Sequence, residues 1–203
     1  IYKREPSFPI AVACDPAFNF VYEANIRYLH HLGEVTYFSP LADTSLPDAG
    51  FVYLPGGYPE LYLAALSANR QMLQSIRRYV ESGGKLLAEC GGMMYLCDEI
   101  RDKNGDVYPM AGVLHQSATM ENMKLRLGYR TLLYNETRLK GHEFHYSRLV
   151  EQQNPLPSCA VAYTAKGVET DTPLYHYKNV WAGYTHLYWA CLLYTSPSPR
   201  DRG

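Results

Sequence analysis

The chain has 203 residues, 47% of them hydrophobic, enough to bury the core of one domain. Lysine plus arginine (19) nearly cancels aspartate plus glutamate (20), so no broad field exists to attract nucleic acid or an anionic membrane, and the expected ligand is small. Five cysteines (Cys14, Cys90, Cys97, Cys159 and Cys191) form neither a Cys-x-x-Cys metal pair nor a dense even framework, and no apolar run approaches the roughly 20 residues of a membrane span, so a cytoplasmic protein without a metal site is expected.

Residues 1–8, which begin at Ile1 rather than methionine, read as the end of a linker, and 9–190 as one domain. Residues 10–14 (IAVAC) form a short apolar run ending at Asp15-Pro16, a buried strand entering a loop. A helix follows over 22–31. Residues 34–39 (EVTYFS) and 51–54 (FVYL) are strands closed by Pro40 and by Pro55-Gly56-Gly57. Met72, Leu73, Ile76, Tyr79 and Val80 recur at helical spacing between a capping Asn69 and the stop Gly83-Gly84. Residues 85–88 read as a strand, 89–92 as a turn and 93–100 as another helix. This alternation predicts a parallel sheet covered by helices on both faces.

Beyond the hairpin-like turn 102–106 (DKNGD) the pattern is β-rich, with strands expected over 107–114, 125–134, 143–146, 160–164 and 180–184. Residues 192–203 (LLYTSPSPRDRG) abandon the apolar periodicity, and the chain from 191 on is set aside as a non-native or disordered tail. Ligands of open parallel sheets sit beyond the carboxyl ends of strands, which brings the 55–57 loop, the Cys90 turn and the end of the last strand together.

Cys90 stands between strand and helix in Ala88-Glu89-Cys90-Gly91-Gly92. Small neighbours permit a nucleophile elbow that exposes the sulfur, places it where helix dipoles favour thiolate, and lets the Gly91 amide donate to an oxyanion. The alternative is a buried inert cysteine. The candidate base is His186, just past the last predicted strand, with His142 and His145 as competitors; His30 and His31, on the first helix, are read as structural. Gly56 and Gly57 either present amides to a ligand or make a simple tight turn. No Gly-x-x-x-x-Gly-Lys-Ser/Thr loop is present, so ATP is not expected to bind here.

Six ordered blocks, residues 10–25 (IAVACDPAFNFVYEAN), 38–42 (FSPLA), 54–61 (LPGGYPEL), 88–96 (AECGGMMYL), 141–147 (GHEFHYS) and 184–189 (YTHLYW), resemble the carboxyl-terminal domain of cobyrinic acid a,c-diamide synthases. The resemblance implies an α/β, class I glutaminase-like (flavodoxin-like) three-layer fold with a mainly parallel central sheet. It implies Cys90 as nucleophile and His186 as base in glutamine hydrolysis through a thioester, with Gly56-Gly57 and Gly91 supplying oxyanion donors. Two positions depart from ordinary class I glutaminases. Tyr188 stands two residues after His186, where those enzymes carry glutamate, leaving Glu143 as a substitute orienting group. Met94 replaces a glutamine-binding side chain four after Cys90, so substrate contacts are expected from Tyr58, Glu60 and His142, Glu143, His145, Tyr146 and Ser147.

By the same resemblance, ammonia passes to an amino-terminal synthetase domain that uses ATP and Mg2+ to amidate a corrinoid and is absent here, and a homodimer of the full-length protein is an open expectation. Rival readings are the glutaminase domain of a nickel-sirohydrochlorin a,c-diamide synthase, a non-hydrolytic docking domain, and a cysteine hydrolase of similar architecture.

Overall fold

Short apolar runs with no polar interruption need cover on both faces, and the first half of the chain builds a parallel sheet from them. A computed structural model describes residues 8–189; the expected linker up to residue 7 and the tail from 191 lie outside the described residues. β1 (Pro9–Ala13) leads through α1 (Glu23–Leu32) to β2 (Glu34–Phe38) and β3 (Phe51–Leu54); α2 (Leu63–Ala68) and α3 (Arg70–Glu81) then lead to β4 (Lys85–Glu89). Ile10 pairs with Val35 on one side and Phe51 on the other, and Val52 lies opposite Leu86, all in parallel register. The ends of α3 follow its sequence: the Asn69 side chain accepts from the Met72 amide, and Gly83, at φ 92°, turns the chain so that its amide and that of Gly84 bond back to Val80 and Tyr79.

After β4, α4 (Gly91–Leu96) is only six residues long and runs directly into β5 (Cys97–Arg101). The helix expected over 93–100 therefore stops early. Its second half is taken by β6 (Val107–Pro109), which pairs antiparallel with β5 across the 102–106 turn, and by β7 (Leu114–Thr119), which pairs parallel with it. The strand expected over 107–114 is broken for a related reason. The amides of Met110, Ala111, Gly112 and Val113 bond to the carbonyls of Asp98, Tyr95, Cys97 and Leu96 instead of a ladder.

The remaining strands are β8 (Arg126–Tyr134), β9 (Thr137–His145), β10 (Arg148–Leu149), β11 (Val161–Thr164), β12 (Glu169–Thr170), β13 (Leu174–Tyr177), β14 (Val180–Gly183) and β15 (His186–Leu187). β14 returns to the central sheet in parallel beside β4, with β13 as an antiparallel edge, giving the order β13-β14-β4-β3-β1-β2. A second sheet has the order β12-β11-β8-β9-β15, and a third β10-β7-β5-β6.

Strand alternation sorts the central sheet into two cores. Ala11, Ala13, Val52, Leu54, Leu86 and Ala88 face α3 and α4, packing on Met72, Ile76, Val80 and Met93. Ile10, Val12 and Tyr53 face the other way onto Leu29 of α1, but also onto Leu132 of β8, Ala162 of β11 and Leu187 of β15. The second face is thus covered by one helix and an antiparallel sheet, a correction to the expected helices on both sides. The hairpin β8–β9 is long enough to fold over that face, which no local periodicity announces.

Candidate active site

β4 ends at Glu89 and α4 begins at Gly91, so Cys90 alone makes the turn. Its φ of 52° and ψ of −109° lie in a region that residues with a side chain avoid, at a cost of about 1–3 kcal/mol. Two backbone bonds hold it there: the Cys90 amide donates to Gly183 at the end of β14 (2.7 Å), and the Met94 amide to the Cys90 carbonyl (3.0 Å). The elbow forms as expected, but its sulfur is not exposed. Cys90 is 4% accessible, and its thiol donates to the Phe144 carbonyl of β9 at 3.5 Å. Burial pushes the thiol pKa well up and the charge of Glu60 adds to it, while the Gly91 amide works in the opposite direction. The expected thiolate-favouring turn is therefore corrected: the strand that folds across it keeps the sulfur protonated.

His186 reaches the same region by leaving the central sheet. After β14 ends at Gly183, residues 184–185 cross to the second sheet, where His186 lies opposite His142 and Leu187 opposite Gly141. The imidazole stands edge-on to Phe20 at 4.6 Å between ring centroids. Its other neighbour is the bare backbone of Gly56, where an added Cβ would lie 2.3 Å from Cε1. Burial pushes its pKa down to about 4, with the charges of His142 and His145 adding to the effect, so the ring is neutral near pH 7.

Alternation along β9 buries Glu143 and His145 and leaves His142 and Phe144 partly exposed. His145 Nε2 meets Glu143 Oε1 at 2.6 Å and Nδ1 meets the Ser147 carbonyl at 2.7 Å. Both ring nitrogens are committed, and the ring stacks on Tyr184 at 3.6 Å. Glu143 Oε2 accepts from Arg130 Nε at 2.7 Å and the Thr172 hydroxyl at 2.6 Å, and Arg126 lies 3.2 Å from Oε1. Burial alone would raise this carboxyl, but the bonds from His145 and Thr172 and the Arg126 charge hold it at about 2. Glu143 thus orients His145, not His186. Ser147 Oγ bonds the Tyr184 hydroxyl at 2.9 Å and lies 3.2 Å from Met94 Sδ.

The 55–60 loop closes the site from the other side. The Gly57 carbonyl oxygen is 3.2 Å from where a Cβ on Gly91 would stand, so the two backbones meet beside Cys90. Gly56 accepts from the Phe20 amide at 3.1 Å. Glu60 carries a buried Oε2 with no hydrogen-bond partner among the described residues, and burial raises its pKa. Tyr58 and Tyr146 are exposed. Cys90 and His186 are joined through shared neighbours: one touches Phe144, the other pairs with His142 two residues earlier, and both border the 56–57 turn. A cavity of about 840 Å³ is lined by Glu143, His145, Ser147, Tyr184, Arg126 and Arg148 among others, with Cys90, His186, Glu60 and the 56–57 turn outside its lining.

Glu89 escaped the sequence reading, in which it was only part of a turn. It is 1% exposed; its Oε2 accepts the Leu187 amide at 2.6 Å and its Oε1 the Tyr53 hydroxyl. Burial raises its pKa to about 7, against the pull of those two bonds. Among the described residues no cluster of His, Cys, Asp and Glu could hold a metal, and no helix is long and apolar enough to cross a membrane.

The architecture is that of class I glutamine amidotransferases. The PurLQS structure from Thermotoga maritima matches with a TM-score of 0.60 at 18% identity, over 89% of this chain and 87% of that one, and a glutamine amidotransferase from the same organism with 0.58 at 13% identity, over 88% and 75%. Residues 9–191 match the CobB/CobQ-like glutamine amidotransferase domain, and the chain belongs to that family. It is 40% identical over 185 residues to the hydrogenobyrinate a,c-diamide synthase of Pseudomonas aeruginosa, covering 88% of this chain and 41% of that protein. It is equally 40% identical over 188 residues to the cobyrinate a,c-diamide synthase of Fusobacterium nucleatum, with the same coverage of 88% and 41%. The chain thus spans about two fifths of the length of the curated relatives it matches.

Proposed function

We propose that this domain hydrolyses glutamine through a Cys90 thioester and supplies the ammonia for amidating the a and c carboxylates of a corrinoid. The observation that carries the reading is the strained elbow at Cys90, enclosed by the Gly57 and Gly91 backbones and by the strand that pairs with His186. His186 takes the thiol proton as sulfur attacks the amide carbon. The Gly57 and Gly91 amides stabilise the oxyanion, and one such donor is worth roughly 3 kcal/mol of barrier. The C–N bond then breaks, ammonia leaves with the proton returned by His186, and water hydrolyses the thioester to glutamate.

With the thiol pushed up and the imidazole pushed down, the neutral pair is favoured before substrate arrives, so proton transfer accompanies attack. The unpartnered Glu60 oxygen provides a counter-charge for the substrate ammonium, which would also relieve its repulsion of the forming thiolate. Tyr58 and Tyr146 stand at the surface, where they can contact only the outer end of the amino acid. We assign use of ATP and Mg2+, and recognition of the corrinoid, to a synthetase domain outside residues 9–191.

The reading is tested by treating the chain with a chloroketone analogue of glutamine and mapping the adduct by mass spectrometry. Stoichiometric modification at Cys90, suppressed by excess glutamine, supports it; a first adduct at another cysteine contradicts it. A second measurement probes the base. A methyl at position 56 would overlap the His186 ring, which Phe20 blocks from retreating, so Gly56→Ala is expected to lower kcat by about 100-fold with the chain folded. Steady-state ammonia release with a circular dichroism control checks it.

A further inference from the structure

A base that passes a proton on and off its ring needs a fixed orientation, and triads supply it through a carboxylate on the imidazole. Here Tyr188 occupies the corresponding position and packs on Tyr22 at 4.8 Å, and Glu143 is engaged with His145. The strand bearing His186 is only two residues long, too short to be held by its ladder alone.

Two buried polar residues grip the other member of that strand. The Leu187 amide donates to Glu89 Oε2 at 2.6 Å, and the Leu187 carbonyl accepts from Asn25 Nδ2 at 2.8 Å. Asn25 Oδ1 then takes the Trp189 amide at 3.1 Å, so both ends of one side chain bind the same segment. Glu89 and Asn25 are each 1% exposed, and the second carboxylate oxygen is anchored by the Tyr53 hydroxyl of β3. Glu89 is peptide-bonded to Cys90, and the residue it grips is peptide-bonded to His186. The carboxylate therefore ties the nucleophile's turn to the base's strand through one rigid bridge.

We propose that Glu89 and Asn25 are positioning residues for His186, clamping the backbone at Leu187 so that the imidazole stays against Phe20 and Gly56 in reach of the Cys90 thiol. This rests on the reading of His186 as the base. It replaces orientation through the ring by orientation through the main chain. A carboxyl buried in the layer of Tyr53 and Trp189 has a large desolvation cost, which two well-made hydrogen bonds offset.

The test compares kcat and KM for glutamine, and the rate of Cys90 modification by the chloroketone, in the full chain and in Glu89→Ala, Glu89→Gln, Asn25→Ala and His186→Ala. A displacement of the base near 1 Å costs on the order of 100-fold, so Glu89→Ala is expected to lower kcat by at least about 30-fold with KM changed less than about threefold. Glu89→Gln keeps an oxygen for the Leu187 amide and an NH2 for the Tyr53 hydroxyl, and is expected to recover kcat to within about fivefold of the parent. A folded Glu89→Ala chain with kcat within twofold of the parent overturns the proposal. So does a Glu89→Gln chain as impaired as Glu89→Ala, because the charge and not the grip would then matter. If Glu89→Ala does not fold, Asn25→Ala decides: about a tenfold fall in kcat at unchanged KM supports the clamp, and unchanged kcat overturns it. Inactive His186→Ala beside active Glu89→Ala removes this inference alone, whereas a fully active His186→Ala removes the assignment of the base and the clamp with it.

Discussion

Replacing Cys90 by alanine is expected to reduce glutamine turnover at least about 10⁴-fold while leaving the dissociation constant for glutamine within a few-fold of the parent. In the proposed mechanism the Cys90 thiol forms the thioester, whereas the substrate contacts are assigned to the 143–147 segment and Glu60. Ammonia release and calorimetric titration separate the two effects, and turnover within tenfold of the parent would remove Cys90 from the mechanism. Stability provides an internal control. Alanine leaves the unfavourable φ of 52° in place, so its unfolding free energy should change little, whereas Cys90→Gly removes the side-chain conflict and should gain about 1 kcal/mol from the backbone.

The second large effect lies in the pH dependence of stability. Glu89 has its carboxyl raised from 4.5 to about 7, chiefly by burial. The folded chain thus holds this proton more tightly than the unfolded chain, and the associated stability is present below pH 4.5 and lost as pH rises through about 7. His186 moves the other way, from 6.5 down to about 4, again chiefly by burial. Its stability is present above pH 6.5 and lost as pH falls through about 4, because only the unfolded chain takes up the proton readily. Each displacement corresponds to about 3 kcal/mol, so the two slopes nearly cancel between pH 4.5 and 6.5 in the native chain.

Single variants expose the hidden slopes. Relative to the native chain, Glu89→Gln should gain about 3 kcal/mol as pH rises from 4.5 to 7.5, and His186→Gln a similar amount as pH falls from 7 to 4. Urea unfolding at several pH values measures both. A Glu89→Gln difference that does not vary with pH would mean that the carboxyl is solvated.

Segments with their own local signal were legible in the sequence. Residues 10–14 and 51–54 could be read as strands because apolar runs bounded by turn residues have few other uses, and α3 because Asn69 and Gly83 mark both ends. Cys90 and the 55–57 turn were legible for the same reason: small residues after a strand are a local fact. The helix expected over 93–100 failed because Cys97 and Ile100 continue a helical spacing, while the partners that claim them, Leu114 and Ala118 on β7, lie far along the chain. Glu89 was illegible in the same way, since Tyr53 is 36 residues away and Leu187 is 98. His186 does lie beside the 56–57 turn, but by another route than its sequence suggests. It was expected at the end of a central strand but sits on a two-residue strand of the other sheet.

The Phe144 carbonyl lying over the Cys90 sulfur also governs what the resting domain does with oxidants. Peroxide attacks thiolates that it can reach, and this sulfur is both protonated and shielded, whereas Cys14 is exposed. Among the described cysteines, chemical damage in storage should therefore reach Cys14 before Cys90. β9 in this position thus shields the sulfur that the proposed mechanism requires.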